Sequence, residues 1–157
     1  MRYSLLSCIL FFSIILFTQQ SVIGQQNTNL PEDFPEIEVN IYDEPEPGYI
    51  FITPSGLWGY FLDATPYLAI VDNYGTPVYY QELTTPAFDF KLQPNGMLSF
   101  HGGGYGNVNH VVDSAYNIVG TRAISGYSGT DFHEFRIREN GSVLLLGMED
   151  RLVDMSA

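Results

Sequence analysis

The residues best suited to chemistry in this sequence fall in Asp131-Phe132-His133-Glu134-Phe135. His133 carries a side chain that titrates near neutrality, and Asp131, two residues earlier, is placed to orient its ring. An internal comparison sharpens the case. Phe88-Asp89-Phe90-Lys91-Leu92-Gln93-Pro94-Asn95-Gly96-Met97-Leu98 aligns without a gap on His133-Glu134-Phe135-Arg136-Ile137-Arg138-Glu139-Asn140-Gly141-Ser142-Val143, 45 positions further on. Side chains alternate along a strand, so His133, Phe135 and Ile137 should share the face that Phe88, Phe90 and Leu92 occupy in the sister copy. An imidazole thus stands where the other copy has a core phenylalanine. Two readings stay open: a core histidine with a satisfied hydrogen bond, or an active-site imidazole.

Other constellations carry less. Asp89 and Glu134 occupy matching repeat positions, as do Lys91 and Arg136, which suits exposed cross-strand charge pairs better than chemistry confined to one copy. Asp72 and Asp113 read as turn-starting acids. His101-Gly102-Gly103-Gly104 imitates the oxyanion loop of esterases, but that needs a nucleophile elbow. Gly126-Tyr127-Ser128-Gly129-Thr130 lacks the last glycine, and no helical pattern follows it. The glycines of Gly102–Gly106 suit an irregular loop crossing a sheet edge. The histidines at 101, 110 and 133 are too scattered for a metal site, and no residue pattern asks for a cofactor. Asn140-Gly141-Ser142 fits a glycosylation sequon, although a hairpin turn already accounts for it.

These residues must be positioned by strands. Short β-branched and aromatic runs predict strands at 49–53, 67–72, 77–81, 88–93, 97–100, 110–113, 118–122, 133–138 and 142–147. Asn73-Tyr74-Gly75, Pro94-Asn95-Gly96 and Glu139-Asn140-Gly141 separate them, and the two Asn-Gly pairs are strong hairpin signals. No window carries a helical apolar stripe, so the fold class is all-β. A second related hairpin precedes each copy above: Val71-Asp72-Asn73-Tyr74-Gly75 matches Val112-Asp113-Ser114-Ala115-Tyr116, 41 positions on. Two hairpins per unit give four-stranded antiparallel blades with the period of a β-propeller, about two blades in residues 67–147. Closed propellers have about four to eight blades. The expectation is therefore an incomplete propeller whose open blade faces favour self-association or a partner.

Composition frames the rest. The 157 residues carry 18 acidic against 6 basic side chains and one cysteine. Arg2 followed by the apolar run Leu5–Phe17 and a small residue at Gly24 reads as a signal peptide over 1–24, shorter than the ~20 apolar residues of a membrane span. Leu5-Leu6-Ser7-Cys8 precedes that run instead of closing it, which argues against lipidation. Cleavage would remove the cysteine, leaving an exported protein, secreted or periplasmic, that is stabilised by packing alone. Residues 25–47 form an acidic, proline-punctuated leader, expected to be a solvated arm, and residues 48–157 the partial propeller. Such acidity makes nucleic acid a poor partner.

With Asn140-Gly141 and Leu144-Leu145-Leu146-Gly147 downstream, the Asp131–Phe135 segment resembles the arylsulfate sulfotransferase family, whose blades carry a His-acid-Phe strand and then an Asn-Gly hairpin. Tyr67–Asp72, Pro77–Tyr80 and Phe90–Gly96 look like preceding blades, and the similarity spans about residues 48–157. It implies a six-bladed exported propeller that moves a sulfuryl group from an aryl sulfate to a phenol through a sulfated histidine, without a nucleotide sulfate donor. It also implies that His133 is a sulfate-binding residue or the nucleophile, that further site residues belong to later blades, and that this chain is an inactive N-terminal part. The alternative reading is a non-catalytic secreted propeller that holds a glycan or protein on an aromatic surface of Tyr74, Tyr79, Tyr80, Tyr105 and Tyr127.

Overall fold

A computed structural model describes residues 30–40, 43–55 and 64–155; the expected signal segment lies outside them. Among the described residues the fold is all-β, with nine strands and no helix: β1 (Tyr49–Ile52), β2 (Tyr67–Asp72), β3 (Pro77–Glu82), β4 (Ala87–Leu92), β5 (Leu98–Gly102), β6 (Asn109–Val112), β7 (Ile118–Arg122), β8 (Gly129–Ile137) and β9 (Val143–Met148). None of these residues forms a helix long and apolar enough to cross a membrane.

The strands make three antiparallel sheets in the orders β1-β2-β3, β4-β5-β6-β7 and β8-β9. Of the two four-stranded units expected, one four-stranded sheet forms, one hairpin out of frame, between sheets of three and two strands. The second hairpin of the first repeat (β4-β5) joins the first hairpin of the next (β6-β7). Pairing across a sheet is invisible to a period measured along the chain, so the period did not fix which hairpins share a sheet.

The hairpin acids behave alike. Asp72 Oδ1 accepts the Tyr74 and Thr76 amides at 2.9 Å, and Asp113 Oδ1 accepts those of Ala115 and Asn117 at the same distance. Both are turn-starting carboxylates that pin the register of the strands they join.

Sheets pack face to face. Leu68 and Ile70 of the first meet Leu98, Phe100 and Val112 of the second, with Phe51 set edge-on to Phe90 at 5.3 Å. The opposite face of the second sheet places Val111 against Phe135 and Ile137 of the third. Side-chain alternation thus gives the middle sheet two buried faces.

The leader is not a free arm. Its acids Glu32, Glu36 and Glu38 are exposed as expected. Phe34, however, packs edge-on against Tyr67 and Tyr80 at 5.1 and 5.5 Å. Asp33 accepts hydrogen bonds from Thr65 and from the Tyr67 hydroxyl, the latter at 2.9 Å. Val39 and Ile37 lie so close over Gly75 that a Cβ there would fall 2.6 Å from the Val39 methyl. Apolar residues among the acids give the segment a half-buried side, at Phe34 and Ile37, that its net charge concealed.

Candidate functional site

Two irregularities in neighbouring strands open a cleft where the second and third sheets meet. In β4 the register slips between Phe88 and Lys91, with Asp89 in the left-handed region at φ 53°. In β8, Thr130 pairs with Gly147 and Phe135 with Leu145, so Asp131–Glu134 bulge out of the ladder. Bulges of this kind re-aim side chains. Phe88 and Phe132 turn towards each other, ring centroids 4.6 Å apart, and form one wall of an open cleft of about 870 Å³.

The glycine loop after β5 makes the opposite wall. Gly102, Gly103, Gly104 and Gly106 all have positive φ, and a Cβ on Gly104 would sit 1.8 Å from the Thr84 hydroxyl. Only glycine fits that approach. The loop is an edge-crossing irregular segment, as its composition suggested.

His101, at the end of β5, lines the cleft although its ring is almost wholly buried. Its Nδ1 meets Asn109 Oδ1 at 3.2 Å and its Nε2 meets Asn107 Oδ1 at 2.7 Å. Two carboxamides therefore clamp the imidazole 6.3 Å from the Phe132 ring. Sequence reasoning passed over His101 as part of a failed esterase motif; the signal that could have found it was the Asn-x-Asn pair six and eight residues later.

His133 is not a core residue. Its side chain is 69% exposed, because the bulge in β8 breaks the alternation on which the comparison with Phe88 rested, and Phe132 takes the partnership with Phe88 instead. His133 stacks on the outer side of Phe132 at 4.1 Å. Asp131 orients it as expected: Oδ1 accepts the His133 backbone amide at 2.8 Å and lies 3.0 Å from ring Nδ1. That backbone amide, and then the imidazole, hold the Asp131 carboxyl below the usual range. In the tautomer that donates from Nδ1 to Asp131, the lone pair sits on Nε2, facing solvent.

His110 lies on the opposite face of the second sheet, buried between Phe100 at 4.8 Å and Tyr105 at 5.7 Å. Neither ring nitrogen has a hydrogen-bond partner of normal geometry. Burial, then the nearby His101, push its pKa down. The three histidines therefore occupy three separate surroundings. Among the described residues no group of three or more His, Cys, Asp or Glu is arranged to hold a metal ion.

The matched charges bridge sheets instead of pairing across one hairpin. Lys91 Nζ lies 2.8 Å from both Asp89 Oδ1 and Glu134 Oε1, and Asp89 Oδ2 accepts the Phe135 amide at 3.0 Å. Burial raises the Asp89 pKa against the pull of Lys91 and that amide. Ser128 is structural: its hydroxyl donates to the Met148 carbonyl at 2.8 Å and accepts the Asp150 amide at 3.2 Å. Of the aromatic surface, Tyr74, Tyr105 and Tyr127 are exposed. Tyr79 instead stacks on Tyr116 at 3.8 Å, and Tyr80 packs on Phe34.

Compared with family models, curated proteins and solved structures, the chain matches none of them.

Proposed function

We propose that this chain forms part of an exported β-propeller of arylsulfate sulfotransferase type, which moves a sulfuryl group from an aryl sulfate to a phenolic acceptor. The observation that carries the reading is the Asp131–His133 pair, stacked on a phenylalanine wall of a cleft that also holds a clamped imidazole. Three consecutive sheets packed face to face, with the related strands β4 and β8 side by side, support the propeller.

In the chemistry proposed, an imidazole Nε2 bonds to sulfur as the sulfur–aryloxide bond breaks. The phenolate leaves and takes up a proton. The acceptor phenol then gives up its proton as its oxygen bonds to sulfur and the nitrogen–sulfur bond breaks. Splitting one hard transfer in two is what a histidine nucleophile contributes, and N–H donors stabilise charge on the sulfate oxygens. His133 serves either as that nucleophile or as a donor to those oxygens. Phe88 and Phe132 offer flat apolar surface to an aryl ring. The test is release of para-nitrophenol from para-nitrophenyl sulfate by a folded full-length form that carries the later blades, with a phenol present, followed by acid–base stability of any sulfated histidine trapped from labelled donor. A folded full-length form inert towards a panel of aryl sulfates would sink the proposal.

A second reading, a non-catalytic binding module, rests on Tyr74, Tyr105 and Tyr127 standing exposed. It predicts saturable glycan or protein binding that survives His133→Ala.

A further inference from the structure

Asp131–Glu134 lie outside the β8-β9 ladder, so sheet hydrogen bonds do not set where the His133 ring points. Asp131 fixes one atom of that ring, Nδ1, at 3.0 Å. A ring pinned at one atom still turns about the contact. A working imidazole needs its Nε2 held in one direction, because a misplacement of about 1 Å costs about a hundredfold in rate.

The rest of the hold comes from β4, in the neighbouring sheet. Before His133 in the chain, Phe132 stacks on the imidazole with centroids 4.1 Å apart and planes 28° apart, and Phe88 backs Phe132 at 4.6 Å. After it, Glu134 Oε1 lies 2.8 Å from Lys91 Nζ, and the Phe135 amide donates to Asp89 Oδ2 at 3.0 Å. Lys91 is steadied in turn by Asp89 Oδ1 at 2.8 Å. These β4 residues span the register slip of their strand. Phe88 meets the third sheet at Phe132, whereas Phe90, two residues on, packs in the core shared with the first sheet. Regular alternation would put both on one side. The slip, with Asp89 at a left-handed φ of 53°, is what turns Phe88 towards β8, and irregularities of this kind re-aim side chains at working sites.

The geometry points to the β4 irregularity as the element that aims His133: Phe88, acting through Phe132, sets the plane of the imidazole, and Lys91, acting through Glu134, holds the chain on its far side. Both are positioning residues. Phe88 and His133 share a repeat position, so the first copy supports the residue that differs in the second. The inference rests on the proposed reading of His133 as a group that acts on an aryl sulfate. It separates positioning from simple contact with an aryl ring, since lost positioning lowers kcat and lost contact raises KM.

The experiment compares Phe88→Leu, Lys91→Met and Phe88→Tyr in the full-length form that carries the later blades, with Gly96→Ala, at a turn tip, controlling for loss of stability alone. Histidine rings are labelled with nitrogen-15, the His133 signals are assigned by their loss in His133→Gln, and the tautomer is read at about pH 9, where an imidazole is neutral. In the parent protein the His133 proton should reside on Nδ1, facing Asp131. Phe88→Leu and Lys91→Met should each let it spread to Nε2, and should lower kcat on para-nitrophenyl sulfate at least about fivefold with KM within about twofold of the parent. Phe88→Tyr keeps the ring and should keep both readings near the parent's, as should Gly96→Ala. Either of the first two variants, folded and with the parent's tautomer, overturns the inference, as does a raised KM with kcat kept. If Phe88→Leu does not fold, Phe88→Met takes its place under the same criteria. A parent inert towards aryl sulfates would sink the proposed reaction, and the tautomer would still decide the positioning role.

Discussion

The Gln93 carboxamide donates to the Phe135 carbonyl at 2.9 Å, across a separation of 42 residues. It also accepts the Ile137 amide at 2.8 Å and donates to the Ser99 hydroxyl at 2.6 Å. Together with Asp89 of β4 on the Phe135 amide, Gln93, just past the end of β4, satisfies backbone groups of β8 that its only ladder partner among the described residues, β9, leaves unpaired. Two sheets are joined here by side chains acting as a missing strand.

Replacing Gln93 by Leu should therefore cost about 2–4 kcal/mol, since it strands buried backbone groups at about 1–3 kcal/mol each. Urea unfolding checks this. A loss below about 1 kcal/mol would show that water replaces the carboxamide.

In a full-length form that carries the later blades, His133→Ala should lower aryl-sulfate turnover at least about tenfold, a transition-state loss of about 1.4 kcal/mol, with unfolding midpoints little changed because the ring is exposed. Asp131→Asn keeps an acceptor for the His133 amide and should cost less. An unchanged rate for His133→Ala removes that residue from the site.

Gly75 and Gly96 both have positive φ, at 77° and 80°. Gly96→Ala meets no atom within 4 Å, so it should cost only backbone strain of about 1 kcal/mol. Gly75→Ala adds the collision with Val39 and should cost more than twice that. In a Val39→Ala background the two should converge, which thermal unfolding would show.

Stability should fall as pH drops below about 6.5, where an unfolded His110 takes up a proton that the buried native ring refuses. The unfolded state then binds more protons, so the loss grows until the native imidazole also protonates. Asp33, Asp113 and Asp131, held below 3.8, lose their contributions only in stronger acid. His110→Phe should flatten the urea-midpoint profile between pH 7 and about 5; an unaltered slope would assign it elsewhere.

Tyr116 holds φ 63° at the repeat position where Gly75 holds 77°, a strain of about 1–2 kcal/mol offset by its stack on Tyr79, worth about 0.5–1.5 kcal/mol. Tyr116→Ala keeps the strain without the stack and should destabilise by about 1 kcal/mol. Tyr116→Gly loses both and should lie within about 0.5 kcal/mol of the parent protein.

What was legible in the chain was local. Alternation and turn chemistry located all nine strands, and the carboxylates of Asp72 and Asp113 announced their hairpins. What was not legible depended on contacts between distant segments. The β8 bulge moved His133 off the face its spacing implied and put Phe132 there. His101 gained its setting from Asn107 and Asn109 across a hairpin, and Phe34 found Tyr67 from inside a segment whose charge suggested only solvent. Each miss is a case where pairing partners, rather than the residue's own neighbours, decided orientation.

The frame of the sheets bears on how the protein is made. Because the four-stranded sheet draws one hairpin from each of two successive repeats, neither repeat can finish that sheet from its own residues. As a chain emerges during synthesis, β4-β5 must wait, edge unpaired, until Arg122 has followed. The pause between those hairpins is the interval in which a chaperone that shields strand edges would have the most to hold.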